Sequence, residues 1–344
     1  MIPSTPKRLL SLEYFRGICA IAVSISHFLM QANYGDIFQQ VAAFAVEAFF
    51  PLSGFVLGSQ IVDLLNKPNN LRIFLIRRWM RTLPPYVIAL TIMGVLLDQF
   101  FTQSFFGYLL FFNYLALGNE SGVNDFYPIA WSLSVEEWFY ILFPVFLVTA
   151  CRHRKTSTNL ILWILVFAIF FAFTRVIFFE SIDPDQMRTN TLLRLDSIAI
   201  GFLFFVVFKE KPQLGRLFFM LLLSLSLLLL VFFDLDSTYE GHLKVQLLLF
   251  ASPIFFGTVV TLLATLEKRL KTVQRGLISV AGVWLGRTSY SMYLFHLLII
   301  YLFFPDPSVN DLPLFLGILL LFCTVFYWVL ENPILELRPK YKRE

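Results

Sequence analysis

Arg16 and His27 bracket the run GICAIAVSIS, an apolar stretch whose hydroxyls come from two serines. Ionisable side chains inside apolar spans are expensive to insert, so each one is a candidate for function. Eleven helical residues rise about 16 Å and return to nearly the same face, so one face carries a cation and an imidazole at different depths. General-base chemistry asks for an imidazole with a carboxylate beside it. The carboxylate fixes the tautomer and stabilises the imidazolium, while the other ring nitrogen removes a hydroxyl proton. Candidate carboxylates are Glu47, about two turns inside the second apolar run, and Glu136 and Glu137, just over one turn inside the fourth. Arg175, Arg194 and Asp196 stand at the ends of the fifth and sixth runs, at the expected depth of His27. In the ninth, Arg287, Tyr290, Tyr293 and His296 follow at spacings of three, with Tyr293 and His296 on one side. Structural alternatives stay open. Arg16 can snorkel to headgroups, His296 can be a hydrogen-bonded packing residue, and Arg175, Arg194 and Asp196 can be ion-paired helix ends. The four histidines lack metal-ligand spacing, and His153 and His242 fall in expected loops, so no metal is anticipated.

The elements that must position these groups follow from composition. Hydrophobic residues make up 58% of the 344, charged residues 15%, and 41 residues are Phe. A soluble domain carries about 25% charged residues. Apolar stretches of about 20 residues recur, each long enough to cross a hydrocarbon core of about 30 Å. They do not alternate as barrel strands must. The expected architecture is all-α and polytopic, a single membrane domain over 1–344 with about ten spans. These are 12–33, 41–64, 82–100, 131–150, 159–179, 192–208, 217–234, 246–266, 284–304 and 313–331. The segment 104–117 is apolar but short, a re-entrant or interfacial piece.

Basic residues set the parity. Lys7 and Arg8; Lys67, Arg72, Arg77, Arg78 and Arg81; Arg152, Arg154 and Lys155; Lys209, Lys211 and Arg216; Lys268, Arg269, Lys271 and Arg275; and Arg338, Lys340, Lys342 and Arg343 occupy alternate connections. The segments 34–40, 101–130 and 305–312 contain no Lys or Arg. Ten spans put every basic cluster on one side with both termini cytoplasmic, whereas counting 104–117 as a span would move the later clusters outside. Cys19, Cys151 and Cys323 lie in or next to spans and imply no disulfide framework. The net charge of +4 suits an anionic inner leaflet better than nucleic acid. No internal repeat, soluble domain or removed signal peptide is expected. Asn119-Glu120-Ser121 forms a glycosylation sequon of little specificity.

The ordered motifs SLEYFRGICAIAVSISHF, VEAFFPLSGFVLG, RRWMRTLPPY, WSLSVEEWFYILFP, LLRLDSIAIG, SYSMYLFH and VLENP resemble those of the family 3 membrane acyltransferases over residues 9 to 337. The resemblance implies a bacterial inner-membrane enzyme. It would move an acyl group, often acetyl, from cytoplasmic acyl-CoA to hydroxyls of surface polysaccharides or their lipid-linked precursors at the outer face. It makes His27 the base and places Arg16 on the acyl-donor path. Glu136, with Glu137 second, becomes the key acid, and Glu47 takes the acidic position before FFxLSGF. Pro51 and Trp138 depart from the family pattern; Pro51 can kink its helix and Trp138 can alter the acceptor pocket. The chain ends at Glu344 without the hydrolase-like domain some members append, so such a partner would be a separate protein.

On this reading Arg72, Arg77, Arg78 and Arg81 suit the phosphates of acyl-CoA, the co-substrate, with topology enforcement as their alternative role. Arg175, Arg194, Asp196, Tyr290, Tyr293 and His296 would contact or support the acceptor. Direct attack and a route through an acyl-histidine or an acyl-serine (Ser24, Ser26, Ser53 or Ser134) both remain open. A transporter of an acyl group or lipid-linked sugar is the alternative from another class. It lacks the inverted repeat and broken half-helices that many transporters show. An inactive binding protein of the same fold is a third possibility.

Overall fold

The computed structural model describes residues 9–35, 37–115, 126–152, 156–178, 182–209, 213–233, 238–270 and 276–341. The sequon Asn119–Ser121, His153 and the basic residues Lys7, Arg8, Arg154, Lys155, Lys211, Lys271, Arg275, Lys342 and Arg343 lie outside the described residues. The helices are α1 (Leu10–Gln31), α2 (Ile37–Asn66), α3 (Leu71–Leu96), α4 (Gln103–Leu109), α5 (Ala130–Ala150), α6 (Ser157–Ile177), α7 (Pro184–Thr189), α8 (Leu195–Phe208), α9 (Leu214–Phe233), α10 (Thr238–Leu270), α11 (Leu277–Phe303), α12 (Leu312–Phe326) and α13 (Asn332–Glu336). A π-helical turn over Tyr327–Glu331 joins the last two. No strand occurs among the described residues.

Among the described residues, seven helices are long and apolar enough to cross a membrane: those over residues 10–31, 37–66, 68–96, 130–150, 157–177, 242–269 and 309–336. Their outward faces are greasy. Ile169, Phe170 and Phe173 of α6, Phe219 and Leu222 of α9, and Leu321 and Val329 near the C-terminus are all exposed. Buried among apolar neighbours are instead Glu47, Glu137, Arg175, Arg194, Asp196 and His296. Apolar outside and polar inside is the order lipid imposes. The remaining expected spans form helices with other traits. α8 has 14 residues, about 21 Å at 1.5 Å each. α9 keeps a shorter apolar stretch, Leu214–Leu229, and α11 is long but carries Arg287 and His296. The segment expected to be re-entrant or interfacial contains α4, seven residues long. Capped by the Thr102 hydroxyl, α4 covers only about 10 Å.

The chain divides into two compact units. One holds residues 1–49 and 259–330; the other holds 50–258 and 331–344. In the first, α1 packs along α11. A Cβ added at Gly286 would lie 1.8 Å from the Glu13 carboxylate and one at Gly17 2.7 Å from the Leu285 Cβ, so small residues set this approach. The Glu267 carboxylate accepts from the backbone N–H groups of Leu10 and Ser11, at 2.9 and 2.8 Å, and caps the start of α1. Such first-turn donors have no partner within their own helix.

In the second unit, Phe139, Phe143, Phe167 and Phe202 interlock, with Phe139 and Phe143 stacked at 4.5 Å. The helix α2 runs through Pro51 without interruption. A Cβ on Gly201 would sit 2.1 Å from the Pro51 carbonyl oxygen, and one on Gly54 2.0 Å from that of Ile198. Glycine at both positions therefore lets the α2 and α8 backbones touch. Arg77 of α3 donates to the Pro339 carbonyl at 2.7 Å, which puts the basic segments 67–81 and 338–341 at one end of this unit.

Candidate functional site

The first unit holds the imidazoles. His27, near the end of α1, and His296 of α11 meet with Nδ1 of His27 2.7 Å from Nε2 of His296 and ring planes within 5°. A second imidazole thus stands at hydrogen-bond distance from His27. Helix geometry fixes the proton positions. Nδ1 of His296 lies 2.8 Å from the Tyr293 carbonyl and 3.2 Å from that of Met292, one turn back on α11. Carbonyl oxygens only accept, so this nitrogen carries the hydrogen. In neutral His296, Nε2 then accepts, and Nδ1 of His27 donates to it. Nε2 of His27 is left as the basic nitrogen, the tautomer a general base needs.

His296 is fully buried and Tyr293 packs beside it, 6.0 Å between ring centres, with Phe49 against Tyr293 at 5.9 Å. Arg16 is half-buried on α1, and Glu47 on α2 is fully buried in this unit. Tyr290 is half-buried on α11.

The second unit holds the other candidates. Both oxygens of the Glu136 carboxylate accept hydroxyl hydrogens, from Ser53 at 2.5 Å and Tyr140 at 2.9 Å. Glu137, one residue on, turns to α3 and hydrogen-bonds Thr82 and Trp79. The adjacent glutamates therefore serve different neighbours, as 100° of helical rotation dictates. Arg78 acts electrostatically on both Tyr140 and Glu137. A polar track thus joins Tyr140, Glu136 and Ser53, with Arg78 near enough to Tyr140 to act on it electrostatically.

Arg175 and Asp196 form a two-pronged ion pair, 2.6 and 2.7 Å, with Arg175 also donating to the Leu193 carbonyl. Both are buried, at 0% and 1% exposure. Their geometry is that of a clamp between α6 and the start of α8. Arg194 is buried, its guanidinium 5.3 Å from the Phe50 ring centre and 3.3 Å from the Ser197 hydroxyl. Trp138 donates its indole N–H to the Phe111 carbonyl at 3.0 Å and so fastens α5 to the turn after α4. His242, expected in a loop, belongs to α10, where it lies 3.1 Å from the Ile182 carbonyl.

Of the α3 arginines, Arg72 is exposed while Arg77, Arg78 and Arg81 are partly covered. Arg77 stacks over the Tyr341 ring at 4.9 Å. Arg78 donates to Gln60 Oε1 at 2.8 Å, which also accepts from Tyr341 at 3.4 Å. Arg338 joins them, its guanidinium pushed down to about 9 by burial and by the charges of Arg81, Arg78 and Arg77. Sequence reasoning missed Arg338, Tyr341, Tyr140 and Gln60. Each meets the site by tertiary contact, and no local spacing marks them.

The profile of the acyltransferase family 3, described as an acyltransferase domain, matches residues 9–331. The chain belongs to this family. It is an integral membrane member, since several of its helices are long and apolar enough to span. A Staphylococcus aureus (strain COL) protein, provisionally named an O-acetyltransferase, is 24% identical over 96% of this chain and 59% of its own length. The Listeria monocytogenes peptidoglycan O-acetyltransferase OatA is 23% identical, over 88% of this chain and 51% of its own. Bacillus subtilis YrhL, provisionally named a peptidoglycan O-acetyltransferase, is 26% identical, over 84% of this chain and 50% of its own. The chain thus spans between half and three fifths of the length of these relatives. No solved structure matches it.

Proposed function

We propose that this acyltransferase family 3 member moves an acyl group, acetyl by preference, from cytoplasmic acyl-CoA to a hydroxyl of a cell-envelope glycan. Its membrane would be the bacterial inner membrane, crossed ten times with both termini cytoplasmic, and the two compact units would form one acyltransferase domain. The names of the Listeria and Bacillus relatives favour peptidoglycan as the acceptor. Membrane lipids are the remaining partners, with a separate extracytoplasmic protein where export of the acyl group requires one.

The observation that carries this reading is the hydrogen-bond chain Tyr293 carbonyl, His296, His27. It supports Nε2 of His27 as the base. In the proposed reaction this nitrogen takes the acceptor hydroxyl proton as the oxygen attacks the thioester carbonyl. The tetrahedral intermediate then expels the CoA sulfur, which leaves as the thiol with the proton returned from His27. His296, with its Nδ1 hydrogen committed to the backbone, accepts from the imidazolium and spreads its charge. Arg72, Arg77, Arg78 and Arg81 bind the donor phosphates, and the track through Tyr140 and Glu136 suits the polar pantetheine arm. Arg16 acts on the acyl-donor path. Glu47, Glu137, Tyr290, Tyr293 and Arg194 support the acceptor and the helices that hold it.

A second reading, transfer through an acyl-enzyme, is favoured by one observation. Of the candidate serines, Ser53 donates to a carboxylate, Glu136, at 2.5 Å, whereas Ser24 bonds the Ala20 carbonyl. Ser53 would attack the thioester while Glu136 takes its proton, and CoA would leave as the thiol. Acid quenching during turnover and peptide mass spectrometry test this, since direct transfer leaves Ser53 unmodified. The main reading is tested by mass spectrometry of surface glycans from cells with and without the protein. An acyl mass lost in its absence is the expected result; identical glycans together with solute flux through the protein would favour a transporter instead.

A further inference from the structure

The end of the second unit gathers Arg77, Arg78, Arg81 and Arg338 from two segments far apart in sequence. Like charges this close raise the energy of the fold unless an anion answers them. Among the described residues no carboxylate forms an ion pair with them, although Glu137 feels the charge of Arg78. Arg77 bonds a carbonyl and stacks on Tyr341, and Arg78 bonds the neutral amide of Gln60. The buried ion pair Arg175–Asp196 lies elsewhere in the unit. Asp63 of α2 is exposed and acts on Tyr341. Several guanidinium nitrogens stay buried without a hydrogen-bond partner: Nε of Arg77 and Arg78, and both Nε and Nη2 of Arg338. Buried donors of this kind cost free energy that an accepting ligand recovers.

We propose that the segment 337–341 completes the donor site, with Arg338 and the α3 arginines forming one cradle for the phosphates of acyl-CoA. The inference rests on the acyl-CoA reading above and adds to it a binding residue from the tail. Planar guanidinium forks match phosphate oxygens two at a time, and several forks suit a ligand carrying several phosphates. A lipid headgroup phosphate offers the same chemistry. Acyl-CoA is favoured because Arg78 opens the polar track to Tyr140, so phosphates held here would start the pantetheine arm toward Glu136. Tyr341 supports the cradle by holding Arg77 beneath its ring and sharing Gln60 with Arg78. Arg338 remains cationic at neutral pH even with its affinity for the proton pushed down to about 9.

The test is coenzyme A binding to the full chain in uncharged phosphatidylcholine nanodiscs, wild type against Arg338→Gln and Arg338→Lys. Loss of charge-assisted bonds to phosphate weakens binding about tenfold in Arg338→Gln, and less in Arg338→Lys, which keeps the charge and loses the fork. Without coenzyme A, Arg338→Gln melts no lower than wild type, because a repelling charge has gone. Should Arg338→Gln fail to insert, Arg338→Lys carries the comparison. Equal coenzyme A affinity in wild type and the variants overturns the tail assignment and leaves the acyl-CoA reading standing. A wild type that binds no coenzyme A overturns both. If the variants differ from wild type only once phosphatidylglycerol is added, the occupant is a lipid phosphate and the assignment to acyl-CoA fails.

Discussion

The histidine pair of the first unit and the arginine cradle of the second answer burial in opposite ways. The imidazoles are satisfied inside the protein: a backbone carbonyl fixes His296, and His296 fixes His27. Nothing is missing, and the pair waits in one tautomer. The cradle is unfinished, with four cations and several buried donors that no described residue answers. A reaction centre gains from preorganisation, whereas a binding site keeps its best donors for the ligand. The two regions should therefore fail differently, one in kcat and the other in KM for the donor.

The largest effect is expected from His27→Ala, with acyl transfer reduced about 10²–10⁴-fold, the range of general-base contributions. Expression and membrane insertion stay normal, which a fold role for His27 would not allow. Next comes Arg78→Gln, read by steady-state kinetics in proteoliposomes. KM for acetyl-CoA rises on the order of tenfold with kcat nearly intact, and the difference shrinks in high salt because screening already weakens the site. A fall in kcat alone would place Arg78 with the chemistry and break the comparison. His296→Ala sharpens it from the other side: kcat falls on the order of tenfold and KM for acetyl-CoA holds, because His27 loses its fixed tautomer and keeps its nitrogen. The smallest effect is Trp138→Phe, which removes one hydrogen bond to the Phe111 carbonyl and costs about 1 kcal/mol of stability by thermal melting. Kinetics in that variant should change little.

Much of the fold was legible because lipid demands long apolar helices, and runs such as FAIFFAF and LLLSLSLLLL declare them. The helix α8 was harder: its opening residues 192–194 form a 3-10 turn, so the regular helix starts at Leu195. α10 begins before its apolar run and takes in His242, because a helix extends past the hydrocarbon without any change in hydropathy to mark it. At the site, the spacing of Tyr293 and His296 was readable from helical period alone. The meeting of His296 with His27 was not, since 269 residues separate them. Depth counting placed His27 and the carboxylates at one level and so favoured a carboxylate partner; it holds no information about rotation between helices. For the same reason the sequence, which ranked Glu136 before Glu137, could not fix which one faces which helix; the structure separates them by their neighbours, Ser53 and Tyr140 for one, Thr82 and Trp79 for the other. Arg338 read as a topology signal because its partners on α3 lie more than 250 residues upstream.

The central claim is that His27, oriented by His296, is the base of an acyl transfer from acyl-CoA. Its most direct test is radiolabelled acetyl transfer to a glycan acceptor by proteoliposomes holding the full chain and supplied with acetyl-CoA. Wild type should label the acceptor and His27→Ala should not, at equal protein and equal coenzyme A binding. Labelling by the variant at the wild-type rate would contradict the account.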